Sequence, residues 1–546
     1  MIVFTCVLSL ILTASAPAEH SKNEANAFLV PTFHCIGIYF SPAQGSAEHR
    51  VLVNYRKVGQ EHWNEGFPLL YHPVNTPECK ADYRGSIVNL TPATTYDIAL
   101  TLEGTDLRTE CRGATWSEKF PVASTVKVSD RDTPLIVNRP GSPDAYVLFD
   151  GTGCTIDTAN NAKHGIEVQG SYVIVRGFTV RNVTEHAIRI FGGRNIIIED
   201  CDISKWGSSD ETGFGRNYQA GVFSNNKDIR SVTIQRCKIH HPSSDSNSWA
   251  EKNKTYHPEG PQCVVFFNSQ GNHVIRYNEF FSDENHYYND ILGAGSNGSY
   301  RGFPGADSDI YCNYIADCWD DGIEVEGNGR NIRIWNNYIE HTLMAIGNAA
   351  ISVGPLYIWR NISGSSFSPP GSSWDMTHGN FLKMGYAGSV DWMTGTQYIF
   401  NNTILQEDDK GCNGLGGGGR IIRHCTTRNN ILHVRPENSR SIAVSSDHEG
   451  NDFDYDLLSA AFPPGYEKHG LKGTPRYVQG AGFDFETKKG MFQLAPESMG
   501  IDAGEVIPNF CEVVNENHPD LGAHESGTAK MQFGIKAKFV PVSPAK

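Results

Sequence analysis

The stretch Asp320-Asp-Gly-Ile-Glu-Val-Glu-Gly327, continued by Asn328-Gly-Arg-Asn-Ile-Arg-Ile-Trp-Asn-Asn-Tyr-Ile339, has the pattern of one coil of a repeat. It contains a short alternating strand, a glycine turn and a second alternating strand, and a short apolar piece closes the unit. Two earlier segments, which begin at His164 and His186, have the same order. The unit recurs about every twenty-odd residues, which is typical of supersecondary units that stack into a solenoid.

The composition agrees with a stacked β structure. The chain has 546 residues, 55 of them glycine, and a formal net charge of -15. A length of this kind normally means about three or four domains, but one solenoid can absorb several hundred residues. The negative charge argues against a nucleic-acid partner, because phosphate backbones are bound by clustered Lys and Arg.

The N-terminus has the features of an export signal. The apolar run from Ile2 to Thr13 is too short to span a bilayer. Small residues follow in Ala14-Ser-Ala-Pro-Ala18, and the combination resembles a secretory signal peptide. We therefore predict a signal peptide over residues 1–18 and a secreted or periplasmic protein that has no membrane span and acts as a monomer.

Residues 25–127 form a separate unit in the sequence pattern. Alternating segments such as Val51-Leu-Val-Asn-Tyr-Arg-Lys57 are separated by turn residues, which predicts a small β-sandwich. The segment Leu90-Thr-Pro-Ala-Thr-Thr-Tyr96 resembles the fibronectin type III domain, in which such a tyrosine locks a strand crossover. A module of this kind positions or binds, and it carries no evident chemistry.

One polar position recurs near the end of each coil after residue 133. It is occupied in order by Cys201, Cys237, Asn278, Asn313, Asn337, Asn361, Asn402 and Asn430. A side-chain amide at a sharp bend can bond backbone groups that the strands leave unpaired, and it can also bond its copies above and below. We therefore predict a buried ladder of stacked asparagines.

This pattern resembles the right-handed parallel β-helix of the pectin-lyase-like superfamily. The resemblance covers residues 133–440 and implies an all-β fold, in which a right-handed parallel β-helix follows the small β-sandwich. Residues 441–546 then form a C-terminal cap and tail, since a stack needs its open end covered. Long insertions, rich in His, Tyr, Trp and Asn, tend to lie on one face of a solenoid, often the binding face.

Strand alternation predicts where the chemistry lies. Ile323 and Val325 must face the apolar interior, so the carboxylates of Glu324 and Glu326 face outward. Aligning the neighbouring coils brings other charged residues to the same wall. The predicted patch consists of Asp290, Asp320, Asp321, Glu324, Glu326 and Lys383, flanked by His286, Arg330 and His378.

Crowded carboxylates favour acid–base chemistry, because they cannot all ionise cheaply and at least one pKa should rise. The segment Asp320-Asp-Gly-Ile-Glu-Val325 is also similar to the Asp-Asp-Cys-Ile-x-Ile strand of polygalacturonase-type glycosidases, whose paired aspartates are catalytic. The resemblance implies a catalytic role for Asp320 and Asp321. Glycoside hydrolysis needs two carboxyls, one as acid and one as base or nucleophile.

Three functions are compatible with this pattern. The first is hydrolysis of a polysaccharide, with Asp320 or Asp321 as the acid, with Asp290, Glu324 or Glu326 as the base, and with no cofactor. The second is a polysaccharide lyase, with Lys383 or a histidine as the base and an arginine or Ca²⁺ neutralising a uronate. The third is a glycan-binding adhesin. The acidic patch favours hydrolysis, because a lyase needs cationic help, although oxygen ligands of this kind could also hold Ca²⁺.

Overall fold

The structure is a computed structural model. It describes residues 27–251, 257–295, 297–366, 379–386, 388–406, 413–416, 421–435, 439–444, 449–478, 483–484, 489–490, 492–511 and 518–541. The predicted signal peptide lies outside these residues. Within the described residues, no helix has the length and apolar character needed to cross a membrane.

The N-terminal unit is an antiparallel seven-stranded sheet folded around its own core. Its strands, in spatial order, are Ala27–Pro31, Ile36–Phe40, Asp82–Ile87, Asn64–His72, Val51–Lys57, Thr95–Leu102 and Arg108–Ala114. Both halves of the sheet supply the buried side chains, for example Ile38 and Tyr83 from one half and Val53 and Ile98 from the other. The hydroxyl of Tyr96 accepts a hydrogen bond from the backbone N–H of Thr91 at 2.9 Å. The resemblance to fibronectin type III stays a prediction.

The rest of the fold is a parallel β-helix, as predicted, because the described strands of successive coils pair in parallel. Its strands form three stacks. Stack 1 consists of Leu135–Val137, His164–Val168, His186–Ile190, Ala220–Ser224, Gln262–Phe266, Leu292–Gly293, the end of Tyr314–Glu324, the end of Tyr338–Gly347, Asn380–Lys383, Asn413–Gly416 and Ile442–Ala443. Stack 2 consists of Val122–Lys127, the start of Tyr146–Asp157, the start of Val173–Arg181, Arg194–Glu199, Arg230–Gln235, Val274–Arg276, Asp309–Tyr311, Ile332–Trp335, Leu356–Trp359, Gln397–Phe400, Cys425–Arg428 and Asp452–Phe453. Stack 3 consists of the remaining parts of the four shared strands with Asp202–Ser204, Lys238–His240, Glu279–Phe281, Ile362–Ser363, Thr403–Gln406, Ile431–Val434, Leu457–Leu458 and Leu471–Lys472.

Two minor elements lie outside the stacks. Val390–Trp392 forms a single 3₁₀ turn, and the strands Phe483–Asp484 and Lys489–Gly490 pair with each other.

The predicted asparagine ladder is confirmed at the bend between stacks 2 and 3. Asn313 donates its side-chain N–H to Oδ1 of Asn337 at 2.9 Å, and Asn337 donates in the same way to Asn361 at 3.0 Å. The same contact links all neighbours from Asn278 to Asn430, and the aspartate Asp456 accepts the last one at 2.9 Å. Every amide is fully buried, which is tolerable only because each one has partners.

The N-terminal unit is docked against stack 2 instead of standing apart. Tyr39 donates its hydroxyl to Asp307 at 2.9 Å, and Arg333 donates to the hydroxyl of Ser86 at 3.2 Å. Phe33 packs in one apolar cluster with Tyr311 and other aromatic residues of the stack. The two units therefore share a buried polar and aromatic interface.

The boundaries of the β-helix differ from those expected from the sequence. Val122–Lys127, within the range assigned to the sandwich, pairs in parallel with the strand Tyr146–Asp157 and opens stack 2. At the other end the pairing continues to Leu471–Lys472, past residue 440. The periodicity in the sequence fades there because the last strands are only two residues long.

The C-terminal segment runs back along the side of the β-helix. Asn429 donates to the carbonyl of Glu505 at 2.8 Å, near the last coils. Further on, Gly534 donates to the carbonyl of Cys312 at 3.0 Å, and the backbone N–H of Phe539 donates to the hydroxyl of Tyr277 at 3.2 Å. This segment therefore packs along the side of several coils, whereas the sequence predicted a cap over the open end and a tail.

Candidate active site

The charged residues of the site are brought together by the register of stack 1. Asp321 lies opposite Met344 in the next coil, and Met344 lies opposite Asn380 in the coil after that. In the same way Glu324 pairs with Gly347, and Gly347 with Lys383. Lys383 therefore lies two coils beyond Glu324 on one face, as predicted.

Alternation sends apolar and acidic side chains to opposite sides of this strand. Ile323 and Val325 belong to the main core of the β-helix. Glu324 and Glu326 lie on the outer side, but they are not solvated, since Glu326 is only 1% exposed. The sequence predicted that these carboxylates face outward on one wall, and in the structure that wall is buried at this point.

Lys383 is the cation of the cluster. Its Nζ lies 2.5 Å from Oδ2 of Asp321 and 3.1 Å from Oε1 of Glu326. Its side chain is 18% exposed, whereas that of Asp321 is 1% exposed. The corresponding position in the intervening coil is Gly347, which has no side chain. A Cβ at this glycine would come 2.2 Å from Oδ2 of Asp321. The glycine thus opens the path between the lysine and the acids.

Three residues that the sequence analysis did not single out also contact the acids. His257 lies with Nε2 3.2 Å from Oδ2 of Asp320, and its side chain is 58% exposed. Gln262 donates to Oδ2 of Asp290 at 3.0 Å, and the carbonyl oxygen of Asn289 accepts a hydrogen bond from the backbone N–H of Asp320 at 3.0 Å. The register of stack 1 was the signal that could have revealed Gln262, whereas His257 lies in an insertion without a repeat to align.

The pKa values of four carboxyls of the cluster are raised. Burial is the main cause for Asp290, Asp321 and Glu326, and repulsion between neighbouring carboxylates adds to it. Burial, followed by the charge of Glu326, raises the pKa of Glu324 to about 8. Burial lowers the pKa of Lys383, but the attraction of Asp321 and Glu326 outweighs it and holds that pKa well above its usual range.

Several oxygens of the cluster are buried and have no hydrogen-bond donor in the part of the chain that the structure describes. They include Oδ1 of Asp321, Oε2 of Glu324 and Oε2 of Glu326. The carboxylates form two overlapping groups, one of Asp290, Asp320 and Asp321 and one of Asp321, Glu324 and Glu326. Within each group, one oxygen of each residue lies within 4.8 Å of the others. Oxygens around one Ca²⁺ ion are at most about 5 Å apart. The donor set therefore fits a hard cation.

The predicted flanking residues are not all at the cluster. The imidazole of His286 pairs with Asp283 at 2.7 Å and faces His241. Arg330 donates to the carbonyl of Glu78 at 3.1 Å and lines a cavity of about 550 Å³ between the two units. His378 lies outside the described residues. Of the predicted substrate-binding residues, the structure brings Lys383 to the acids.

Comparisons with known proteins report on the fold. No family model and no curated protein matches this chain. The structure of pectate lyase Pel9A is similar, with 15% identity, a TM-score of 0.40, and coverage of 76% of this chain and 91% of that one. The catalytic unit of the GH87 α-1,3-glucanase from Streptomyces thermodiastaticus strain HF3-3 is also similar, with 13% identity, a TM-score of 0.31, and coverage of 82% and 88%. The parallel β-helix itself is established by the strand pairing.

Proposed function

We propose that this chain is a carbohydrate-active enzyme that cleaves a uronate polysaccharide by β-elimination, with Lys383 as the base. One observation carries the proposal. The lysine lies 2.5 Å from a cluster of buried carboxylates, and among the described residues several oxygens of Asp321, Glu324 and Glu326 have no hydrogen-bond donor. A bound hard cation would satisfy these oxygens together.

The acids at the start of the strand are the candidate cation ligands. Asp290, Asp320 and Asp321 form one group, and Glu324 joins through Asp321. A cation held there would supply positive charge for the carboxylate of a uronate and would favour the loss of the neighbouring proton. Glu326, whose oxygen lies within 4.8 Å of oxygens of Asp321 and Glu324, also contacts Lys383 at 3.1 Å and orients the ammonium.

The elimination step is a proton transfer coupled to bond cleavage. Neutral Lys383 takes the proton from the sugar carbon next to the carboxylate. The electron pair left on that carbon forms a carbon–carbon double bond, the bond to the glycosidic oxygen breaks, and this oxygen takes up a proton from water, while the proton on Lys383 passes to solvent. The field of the carboxylates opposes deprotonation of Lys383, so neutralising them favours the base form.

The burial of the acids changes the order of the two enzymatic hypotheses. The acidic patch predicted from the sequence favoured hydrolysis. In the structure the described carboxylates are buried, and their nearest oxygens lie within 4.8 Å in each group, as the ligands of one hard cation would.

Hydrolysis remains the second candidate because of Glu324. Its pKa of about 8 suits a general acid near neutral pH. In that case Glu324 would protonate the glycosidic oxygen, and Asp290 or Asp320 would activate water. Hydrolysis of this kind does not require a uronate, so the substrate could then be a neutral polysaccharide.

Product analysis separates these functions. The purified protein is incubated with polygalacturonate, alginate and a neutral glucan, with Ca²⁺ or with a chelator. We expect products with ultraviolet absorbance from an anionic polymer, no product with chelator, and no product from the Lys383→Ala variant. Lys57→Ala, on the N-terminal sheet, is the matched control and should retain activity.

The other outcomes contradict elimination. New reducing ends without ultraviolet absorbance would support hydrolysis, above all if Glu324→Gln abolished them and the chelator did not. Binding of a polymer without any product in long digests would support the adhesin hypothesis.

A further inference from the structure

A row of aromatic side chains lies on the same outer face as the acidic cluster, in the coils before it. We call it the aromatic platform, and it consists of Phe191, Tyr218, Phe223 and Phe267. Phe191 is 40% exposed, Tyr218 and Phe267 are half-buried, and Phe223 is buried beneath them. Phe223 occupies an outward-facing position of stack 1, and it belongs to the main apolar cluster, against which Tyr218 and Phe267 pack.

Ring contacts join three members of the platform, Tyr218, Phe223 and Phe267. The rings of Phe223 and Phe267 are 6.0 Å apart, and Tyr218 meets Phe267 edge-on at 5.0 Å. His186 stacks on Phe223 from the side of the preceding coil at 3.8 Å. These contacts hold the rings in a fixed arrangement, which lowers the entropy lost when a ligand binds.

A single arginine lies on the platform. The guanidinium carbon of Arg189 is 4.6 Å from the ring centroid of Phe191 and 5.6 Å from that of Phe223. The guanidinium of Arg189 has a polar contact with Nε2 of His164 at 3.4 Å. Among the described residues, it forms no ion pair with a carboxylate. An arginine stacked on rings keeps its edge available for a planar anion.

The platform is continuous with the acidic cluster. Arg189 pairs with Phe223 in the ladder of stack 1, Phe223 pairs with Val265, and Val265 pairs with Gly293. The side chain of Glu324 packs against Gly293, as shown by the distance of 2.8 Å between its Oε2 and the position that a Cβ at Gly293 would occupy. The coils are about 4.8 Å apart, so Arg189 and Glu324 are separated by about 19 Å along the axis.

Tyr218 marks the junction between the two surfaces. A Cβ at Gly295 would come 3.0 Å from the Tyr218 hydroxyl and 3.9 Å from Oε1 of Glu324. Burial and the nearby charges of Glu324 and Asp290 raise the pKa of Tyr218 to about 12, which keeps it a neutral donor. A chain of sugars lying along the platform would therefore lead directly to the acids.

We infer that the aromatic platform and Arg189 bind the polysaccharide on the N-terminal side of the cleavage site, and that Arg189 takes the carboxylate of a uronate several sugar units away from the bond that breaks. The inference deepens the proposed function and rests on it for the position of that bond. Exposed rings accept the apolar faces of sugars, and apolar surface of this kind marks ligand grooves. The arginine gives the preference for an acidic polymer that the negative net charge of the chain does not provide.

The test measures binding separately from cleavage. Lys383→Ala is the background, so that the polymer stays intact, and Ca²⁺ is present throughout. Arg189→Gln, Phe191→Ala and the control Arg194→Gln, whose side chain is exposed in stack 2, are added to it. Calorimetry is carried out with polygalacturonate, with alginate, with short oligomers of each and with a neutral glucan.

We expect Arg189→Gln to weaken the binding of the anionic polymer that the background protein binds, polygalacturonate or alginate. The affinity should fall about tenfold or more, since a charge-assisted hydrogen bond is lost. Phe191→Ala should weaken it several-fold, while Arg194→Gln should have no effect. Dimers, too short to reach from the acids to Arg189, should bind all variants equally. With Lys383 intact, Arg189→Gln should raise KM for long substrates and leave kcat unchanged.

Failure of the platform and failure of the proposed function are distinguishable. If an anionic polymer is cleaved but Arg189→Gln and Phe191→Ala match the control at every length, the platform is not a binding surface. If no polymer is cleaved but binding depends on Arg189, elimination is wrong and the platform stands. Equal losses for neutral and anionic polymers would overturn recognition of the carboxylate, and no binding of either anionic polymer by the background protein would overturn the inference altogether.

Discussion

The ammonium of Lys383 lies 2.5 Å from Oδ2 of Asp321, although 62 positions separate the two residues in the chain. They meet because two coils of the β-helix bring them onto one wall, with Gly347 between them. One lysine cannot balance the several carboxylates that surround it. Charge that is buried without compensation is costly, so this site is held together at the expense of stability.

Asp321→Asn should abolish turnover and preserve the fold. The variant loses a candidate cation ligand and the nearest partner of Lys383, and effects of at least about 100-fold are expected at such positions. It also removes one of several repelling charges, so the melting temperature in chelator should not fall. Activity and thermal melting are measured together, with exposed Asp228→Asn as the control. Normal turnover by the variant would show that Asp321 is not part of the reaction.

Addition of Ca²⁺ should raise the melting temperature. A ligand that binds only the folded state adds about 2.7 kcal/mol of stability at a concentration one hundred times its Kd. Scanning calorimetry with Ca²⁺ and with chelator measures the effect. The double variant Asp290→Asn with Glu324→Gln should lose the response, whereas an equal response in wild type and variant would place the cation elsewhere.

Without a cation, stability should decrease as the pH rises through the neutral range. Glu324 has an ordinary pKa of 4.5 and a raised pKa of about 8 in the folded protein. The folded state therefore binds more protons than the unfolded state between these values, and its stability falls as the pH rises from about 4.5 to about 8. Denaturation at several pH values in chelator measures the slope. Glu324→Gln should flatten it, and an unchanged slope would exclude this residue as its source.

Asn337→Ala should reduce the free energy of unfolding by about 3–5 kcal/mol. Asn337 donates to the carbonyl of Ile310 at 2.9 Å and accepts from the backbone N–H of Asn313 at 3.1 Å. Truncation leaves several buried polar groups unpaired, at about 1–3 kcal/mol each. Urea denaturation is the measurement and exposed Asn225→Ala the control. A loss below about 1 kcal/mol would mean that water or a shifted neighbour replaces the amide.

The sequence by itself determined the β-helix, its asparagine ladder and the face on which the acids lie. Those features follow from local periodicity, because alternation sends Ile323 inward and Glu324 outward, and a fixed repeat places Asn313 above Asn337. Lys383 could also be placed, since its strand aligns with that of Glu324.

Only the tertiary structure decided how the site is covered and what surrounds it. The burial of Glu326 and the contact of His257 with Asp320 depend on insertions, which have no repeat to align. The same holds for Arg330, which faces Glu78 of the N-terminal unit because that unit docks on stack 2. Periodicity specifies the direction of a side chain from its own coil, whereas desolvation and charge balance depend on which distant segments pack over that coil.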